Sequence, residues 1–181
     1  MNAYLLKIAE MVYNKDSSLP YRRRVEVAIL NRDGKILLTK NKNKDTGEEW
    51  YGFPGGGTEG DKDIDAARKE CLEEVGVAVK DLNPTSVLHT QEGINDKKGR
   101  GEKYRGSKTR VFFALYDRDD KSLLGDDGDA VKYVWKNPSE AEELLSQNKI
   151  DSSYRIQGML EGIRRYRPAQ QGVSKYTRTR V

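Results

Sequence analysis

Three glutamates, Glu70, Glu73 and Glu74, stand at i, i+3 and i+4 in the segment Lys69-Glu70-Cys71-Leu72-Glu73-Glu74-Val75-Gly76-Val77. At about 100° per residue, a helix carries all three within an arc of roughly 100°. Ile64, Ala67, Cys71 and Val75 fall on the opposite, buried side. Like charges at these spacings weaken an isolated helix by about 0.2–0.5 kcal/mol per pair. A hard divalent cation reverses that sign, because it takes several carboxylate oxygens as ligands. Just upstream runs Gly55-Gly56-Gly57-Thr58-Glu59-Gly60-Asp61. Without a Cβ, the Gly55–Gly57 backbone can approach a metal or phosphate closely, and a carbonyl of Gly55 or Gly56 offers a further ligand. Oxygen-only donors suit Mg²⁺ or Mn²⁺. The single cysteine and single histidine, His89, cannot assemble a usual zinc site.

The stretch resembles the Nudix box, G-x5-E-x7-R-E-U-x-E-E-x-G-U with U aliphatic, at every spacing from Gly55 to Val77, 23 of the 181 residues. Three residues depart from it. Asp61 stands for the usual Glu, Lys69 for Arg and Cys71 for an aliphatic residue. Trp50-Tyr51-Gly52-Phe53-Pro54, ahead of the glycines, strengthens the likeness outside the box. Two other readings compete. One is a solvated acidic helix face in a chain that is 34% charged, but it leaves the glycines, the spacing and Gly76 unexplained. The other is a phosphate-binding P-loop, but Asp61 stands where its lysine must be.

The resemblance implies a hydrolase that splits the P–O–P link of a nucleoside diphosphate joined to a group X, with water as nucleophile. It implies Glu70, Glu73 and Glu74 as metal ligands with Gly55, and Lys69 and Asp61 as orienting residues. For the general base it leaves Glu73, Glu70, Asp127 and Asp129 open, with Glu92 and Glu102 behind them. Arg24, Arg110, Lys108, Gly56 and Gly57 are candidates for holding phosphates. Trp50, Tyr51 and Phe53 are candidates for stacking on a base. X itself is open. Three functions stand: a small-molecule pyrophosphohydrolase, a pyrophosphohydrolase or decapping enzyme for RNA 5′ ends, and a non-catalytic nucleotide-binding module.

The net charge of +4 is unevenly spread. Residues 97–110 hold seven Lys or Arg against Glu102 alone, and the chain after Glu161 holds six and no acid. Two basic segments, 97–110 and 164–180, suggest RNA or another polyanion as partner, or else solvated loops. No apolar run nears the ~18 residues of a membrane span, and Lys7 and Glu10 interrupt the N-terminus as a signal peptide. One cysteine excludes an internal disulfide and suits a cytoplasmic protein.

Helices between hairpins argue for an α/β domain, which the resemblance sharpens to an α/β/α sandwich with a mixed sheet. Residues 1–20 are expected as an amphipathic helix and linker, 21–167 as the hydrolase domain and 168–181 as a basic, disordered tail. The apolar side of residues 2–13 offers a homodimer contact by analogy with the family. Strands are expected over 24–30 and 35–40 around the Asp33-Gly34 turn, then over 77–79, 86–91, 109–117 and 130–135. Helices are expected over 62–75, capped by Asp61 and Gly76, then 140–146 and 152–167.

Overall fold

The computed structural model describes residues 18–42, 46–76, 78–96, 103–117, 132–148 and 151–173. The expected helix over 2–13, the dimer contact on it, Glu102, Asp127, Asp129 and the tail beyond Val173 lie outside the described residues.

β1 (Tyr21–Asn31) is the centre of the sheet. Val25, Val27, Ala28, Ile29 and Leu30 are buried in succession. Such a run on both faces of a strand requires a layer above and a layer below. β2 (Ile36–Lys42) returns antiparallel from a turn in which Asn31 accepts from Gly34 and Lys35. β3 (Glu49–Gly52) and β7 (Lys132–Lys136) pair with the two edges of β2. β6 (Lys103–Tyr116) runs parallel to β1, and β5 (Lys80–Asp96) antiparallel to β6, so the sheet is mixed.

Three helices cover it. α1 (Asp63–Val75) lays Ala66, Ala67, Cys71 and Val75 on Val25, Val27, Ile29, Phe112 and Ala114. α2 (Pro138–Ser146) and α3 (Ser153–Val173) cover the other face, packing Ala141, Leu145, Met159 and Ile163 on Ala28, Leu30, Ile36 and Phe113. Each large apolar side chain buried this way contributes about 1.5–3 kcal/mol. The result is the expected α/β/α sandwich.

Four expectations change. The Gly55–Gly57 stretch is a strand, β4, antiparallel to Arg24–Glu26 of β1, not an open loop. Asp61 does not cap α1. It lies in a turn with its N–H on the Thr58 carbonyl, and Lys62 is the capping residue, without a side-chain bond. The acids that favour the helix start are Asp63 and Asp65, inside the first turn. Asn83-Pro84 does not break the strand after the box; β5 is continuous, and register shifts on either side of Pro84 absorb the missing donor. α3 passes Pro168 and ends at Val173, beyond the expected end at 167. As expected, Gly76 closes α1 in the left-handed conformation, its N–H returning to the Leu72 carbonyl. Among the described residues no helix is long and apolar enough to cross a membrane.

Candidate active site

The site forms where β4 lies between the start of β1 and the flank of α1. Gly56 is pressed against Glu70: a Cβ on Gly56 would stand 2.7 Å from the Glu70 carboxyl carbon. Gly55 is pressed against β1 itself: a Cβ there would stand 2.8 Å from the Glu26 Cα. On Gly57 it would meet the Arg22 guanidinium at 2.6 Å. The three glycines therefore bring the β1 backbone, the Arg22 guanidinium and the Glu70 carboxylate into one small volume. No side-chain-bearing residue fits at Gly55 or Gly56 without displacing a neighbour.

The Gly55 N–H donates to Glu74 Oε2 at 2.8 Å, which orients that carboxylate toward β4. At the end of α1, the Tyr133 hydroxyl donates to the Glu74 carbonyl and anchors the helix terminus to β7. Glu70 is half-buried, and burial pushes its carboxyl above the usual carboxylate range. Glu73 adds to the shift, while Arg24, Lys69 and Arg22 oppose it. Glu74 keeps solvent contact, yet desolvation against the glycine strand pushes its carboxyl up as well. The Gly55 N–H opposes that shift, Glu70 and Glu26 add to it, and Arg24 opposes it. Arg24 thus acts on both carboxylates. Two crowded glutamates held partly from water form a site whose mutual repulsion a cation would relieve, while the nearby arginines already offset part of that charge.

Glu73 is exposed, and Lys69 approaches it only at 3.9 Å, a solvent-screened pair. Among the described residues, no three Asp, Glu, His or Cys side chains converge closely enough to hold a metal ion as they stand. The reason is visible in the partners. Glu74 turns to the Gly55 N–H, Glu73 leans toward Lys69, and Glu70 lies against Gly56. The chemistry of the donors nevertheless fits a hard divalent cation. All are oxygens, and Gly56 leaves room beside Glu70 that a Cβ would fill.

The other expected residues scatter. Trp50 is 41% exposed on β3, while Tyr51 is half-buried. Phe53 is only 5% exposed, packed with Leu38 and Leu145 in the lower core, so it is not a stacking surface. The aromatic ring gains more from the apolar layer than from water beside the glycines. Arg110 donates to Asp63 at 3.1 Å, and Arg23 shares the same carboxylate, so β1 and β6 together tie down the start of α1. Lys108 lies over the Tyr21 ring at 4.7 Å, and Glu92 accepts from the Tyr21 hydroxyl. His89 sits in β5, stacked on Tyr154 at 4.1 Å between centroids.

Arg22, Glu26 and Arg155 carry no expectation from the sequence, and Tyr154 is expected only as part of the apolar side of the last helix. Arg22 contacts Glu59 at 3.3 Å beside Gly57. Glu26 is 4% exposed and ion-paired with Arg155. The one signal for Glu26 was its acidic side chain between Val25 and Val27 in an otherwise apolar run.

The model of the NUDIX domain matches residues 20–155. The chain is similar to the RNA pyrophosphohydrolase of Gluconobacter oxydans, 29% identical over 137 residues covering 72% of this chain and 78% of that protein. It is also similar to the RNA pyrophosphohydrolase of Acidiphilium cryptum, 38% identical over 101 residues covering 53% and 61%. Among solved structures it resembles the E. coli dihydroneopterin triphosphate pyrophosphohydrolase, with TM-score 0.57 and 16% identity over 77% of this chain and 94% of that one. At that identity the likeness speaks to the fold.

Proposed function

This chain belongs to the NUDIX domain family and is a hydrolase of diphosphate bonds, and we propose that its substrate is the 5′-polyphosphate end of an RNA. The observation that carries the site assignment is the meeting of Glu70, Glu74, Arg22 and Arg24 across Gly55–Gly57. The choice of RNA is supported by the names of the curated relatives. It is supported also by the basic segments 97–110 and 164–180. An RNA 5′ end is a nucleoside polyphosphate whose remaining part is the chain itself, so it falls within the general NDP-X chemistry.

Glu70, Glu73 and Glu74, with the Gly55 backbone, would hold Mg²⁺ or Mn²⁺. Once bound, the ion supplies neutralisation of phosphate charge and acidification of water. The protein's own part is positioning. Arg22 and Arg24 hold non-bridging phosphate oxygens beside the carboxylates. The glycine strand lets the polyphosphate lie against backbone. Trp50 offers an exposed ring to a base. Water attacks a phosphorus of the polyphosphate, the P–O bond to the bridging oxygen breaks, and that oxygen leaves with the departing phosphate group. A carboxylate takes the proton of the attacking water. Glu70, Glu73, Asp127 and Asp129 are the candidates for it.

The reading is tested by competition at equal concentration between 5′-triphosphorylated oligoribonucleotide, nucleoside triphosphates, ADP-ribose and dinucleoside polyphosphates, all with Mg²⁺. We expect the RNA to be preferred in kcat/KM. Its KM should rise with salt as a power law, because each neutralised phosphate releases counterions. Equal or better use of a mononucleotide, with no such salt dependence, would move the assignment to a small-molecule substrate.

A further inference from the structure

We infer that Arg155, far from the glutamates in sequence and on another helix, is a positioning residue for the catalytic carboxylates, acting through buried Glu26. The inference rests on the reading of Glu70, Glu73 and Glu74 as metal ligands. Glu26 lies almost wholly out of water on β1, and a lone carboxylate there would cost several kcal/mol. Arg155 answers it bidentately, Nε to Oε2 at 2.6 Å and Nη2 to Oε1 at 2.7 Å, across 129 residues of chain. The Tyr154 hydroxyl donates to the same carboxylate at 3.0 Å, and its ring is held between His89 and the Arg155 guanidinium.

The network does not stop there. Arg155 also donates to Ser152 Oγ at 3.1 Å, and Asn148 Nδ2 donates to that same oxygen at 2.9 Å. Asn148 then grips the backbone of Tyr51 from both sides, donating to its carbonyl at 2.7 Å and accepting from its N–H at 3.0 Å. One set of polar contacts thus holds Tyr51 at one end and Glu26 at the other. Glu26 is the backbone partner of Gly55 in the β1–β4 pairing. The chain from Tyr51 to Gly55 is therefore fixed at both ends, and the Gly55 N–H is the donor that aims Glu74. α3 is seated firmly enough to serve as the anchor, since a Cβ on Gly158 would stand 2.5 Å from the Val111 side chain. An ion pair needed only to hold α3 down could have been replaced by apolar packing, which is often as stable. The use of a bidentate pair linked onward to Tyr51 points to control of geometry instead.

The test separates these two roles. Arg155→Met alone leaves the Glu26 charge buried with only the Tyr154 hydroxyl to answer it, and a lower melting temperature is expected. The double variant Arg155→Met with Glu26→Leu removes both charges and is expected to recover the melting temperature. With positioning lost, kcat on 5′-triphosphorylated RNA should stay about 10–100-fold down while KM moves less than about twofold. Mn²⁺ affinity, measured by titration calorimetry without substrate, should weaken in parallel. A double variant with wild-type melting temperature, kcat and Mn²⁺ affinity would overturn the inference. If the double variant does not fold, Asn148→Ala decides, because it frees Tyr51 without leaving a buried charge. It should lower kcat and Mn²⁺ affinity, and wild-type values of both would refute positioning. The Mn²⁺ arm keeps the two claims separable. Inactive wild-type protein would sink the substrate assignment, and unchanged Mn²⁺ affinity in the variants would sink this one.

Discussion

Replacing Gly56 by alanine should separate catalysis from stability at a single atom. The added Cβ would stand 2.7 Å from the Glu70 carboxyl carbon and closer still to Oε1, and ordinary contact begins at 3.4 Å, so the carboxylate must retreat by about 1 Å. The obstacle is the far end of a flexible side chain, so the fold gives way easily. An off-rotamer glutamate costs about 0.5–1.5 kcal/mol. Gly56 is not among the residues at positive φ, so alanine also gains about 0.4–1 kcal/mol by restricting the unfolded chain. The net change in stability is therefore within about 1 kcal/mol. A reacting group displaced by about 1 Å costs about 100-fold in rate, so kcat should fall by one to two orders of magnitude. Gly55→Ala makes the opposite case. Its Cβ collides with the backbone of Val25 and Glu26, which cannot swing aside, and overpacking of this kind costs about 1–3 kcal/mol or more. Thermal melts and Mg²⁺-dependent phosphate release, measured on both variants, give the comparison. A Gly56→Ala protein with wild-type turnover, or one that loses more stability than Gly55→Ala, would refute the placement of Glu70 against β4.

Other consequences follow from burial and charge. Phe53→Ala should destabilise by about 3–5 kcal/mol through a core cavity while leaving KM of the folded protein unchanged; a KM effect without a stability effect would return Phe53 to the substrate. Folded Glu70 and Glu74 keep their protons above the ordinary glutamate value of 4.5, so without a divalent cation stability should decline as pH rises through their raised values. Mg²⁺ should therefore raise the melting temperature more at pH 7 than at pH 5, and turnover should fall as the carboxyls protonate in acid; an equal Mg²⁺ effect at both pH values would contradict this. Burial pushes the Cys71 thiol up to about 12, with Glu74 and Glu70 adding to the effect, so a disulfide reagent at pH 8 should label it only after unfolding. Rapid labelling of the native protein would show that α1 does not cover it.

What the sequence made legible was whatever lies within one helical turn or one strand of its neighbour. The spacing of Glu70, Glu73 and Glu74, the helix-ending Gly76 and the Asp33-Gly34 turn are local signals, and each stands in the structure where the pattern puts it. The glycine triplet looks like a loop from its own residues because the reason for it is distant: Gly55 is glycine on account of Val25 and Glu26, and Gly56 on account of Glu70. β1 begins at Tyr21, ahead of the Arg24 that the pattern marks, and the difference arises because Arg22 and Arg23 look like solvated chain. Their guanidiniums in fact go to acids on other segments, as Arg22 does with Glu59 and Arg23 with Asp63. Phe53 sits beside chemistry in sequence and beside Leu145 in space. The pairing of Glu26 with Arg155 has no local signature: an acid between Val25 and Val27 marks Glu26 as unusual, but nothing near Arg155 names it as the partner.

The most direct test of the whole account is the turnover of 5′-triphosphorylated RNA with Mg²⁺ by the wild-type protein and by Glu70→Gln. The substitution keeps the shape beside Gly56 and removes one negative charge. The account predicts robust release of phosphate products by the wild type. For Glu70→Gln it predicts a loss of about 100-fold or more, with a melting temperature equal to or above the wild-type value, since crowded like charge is relieved. Undiminished turnover in Glu70→Gln would contradict the claim that the carboxylates of α1, gathered on the glycine strand, perform the hydrolysis.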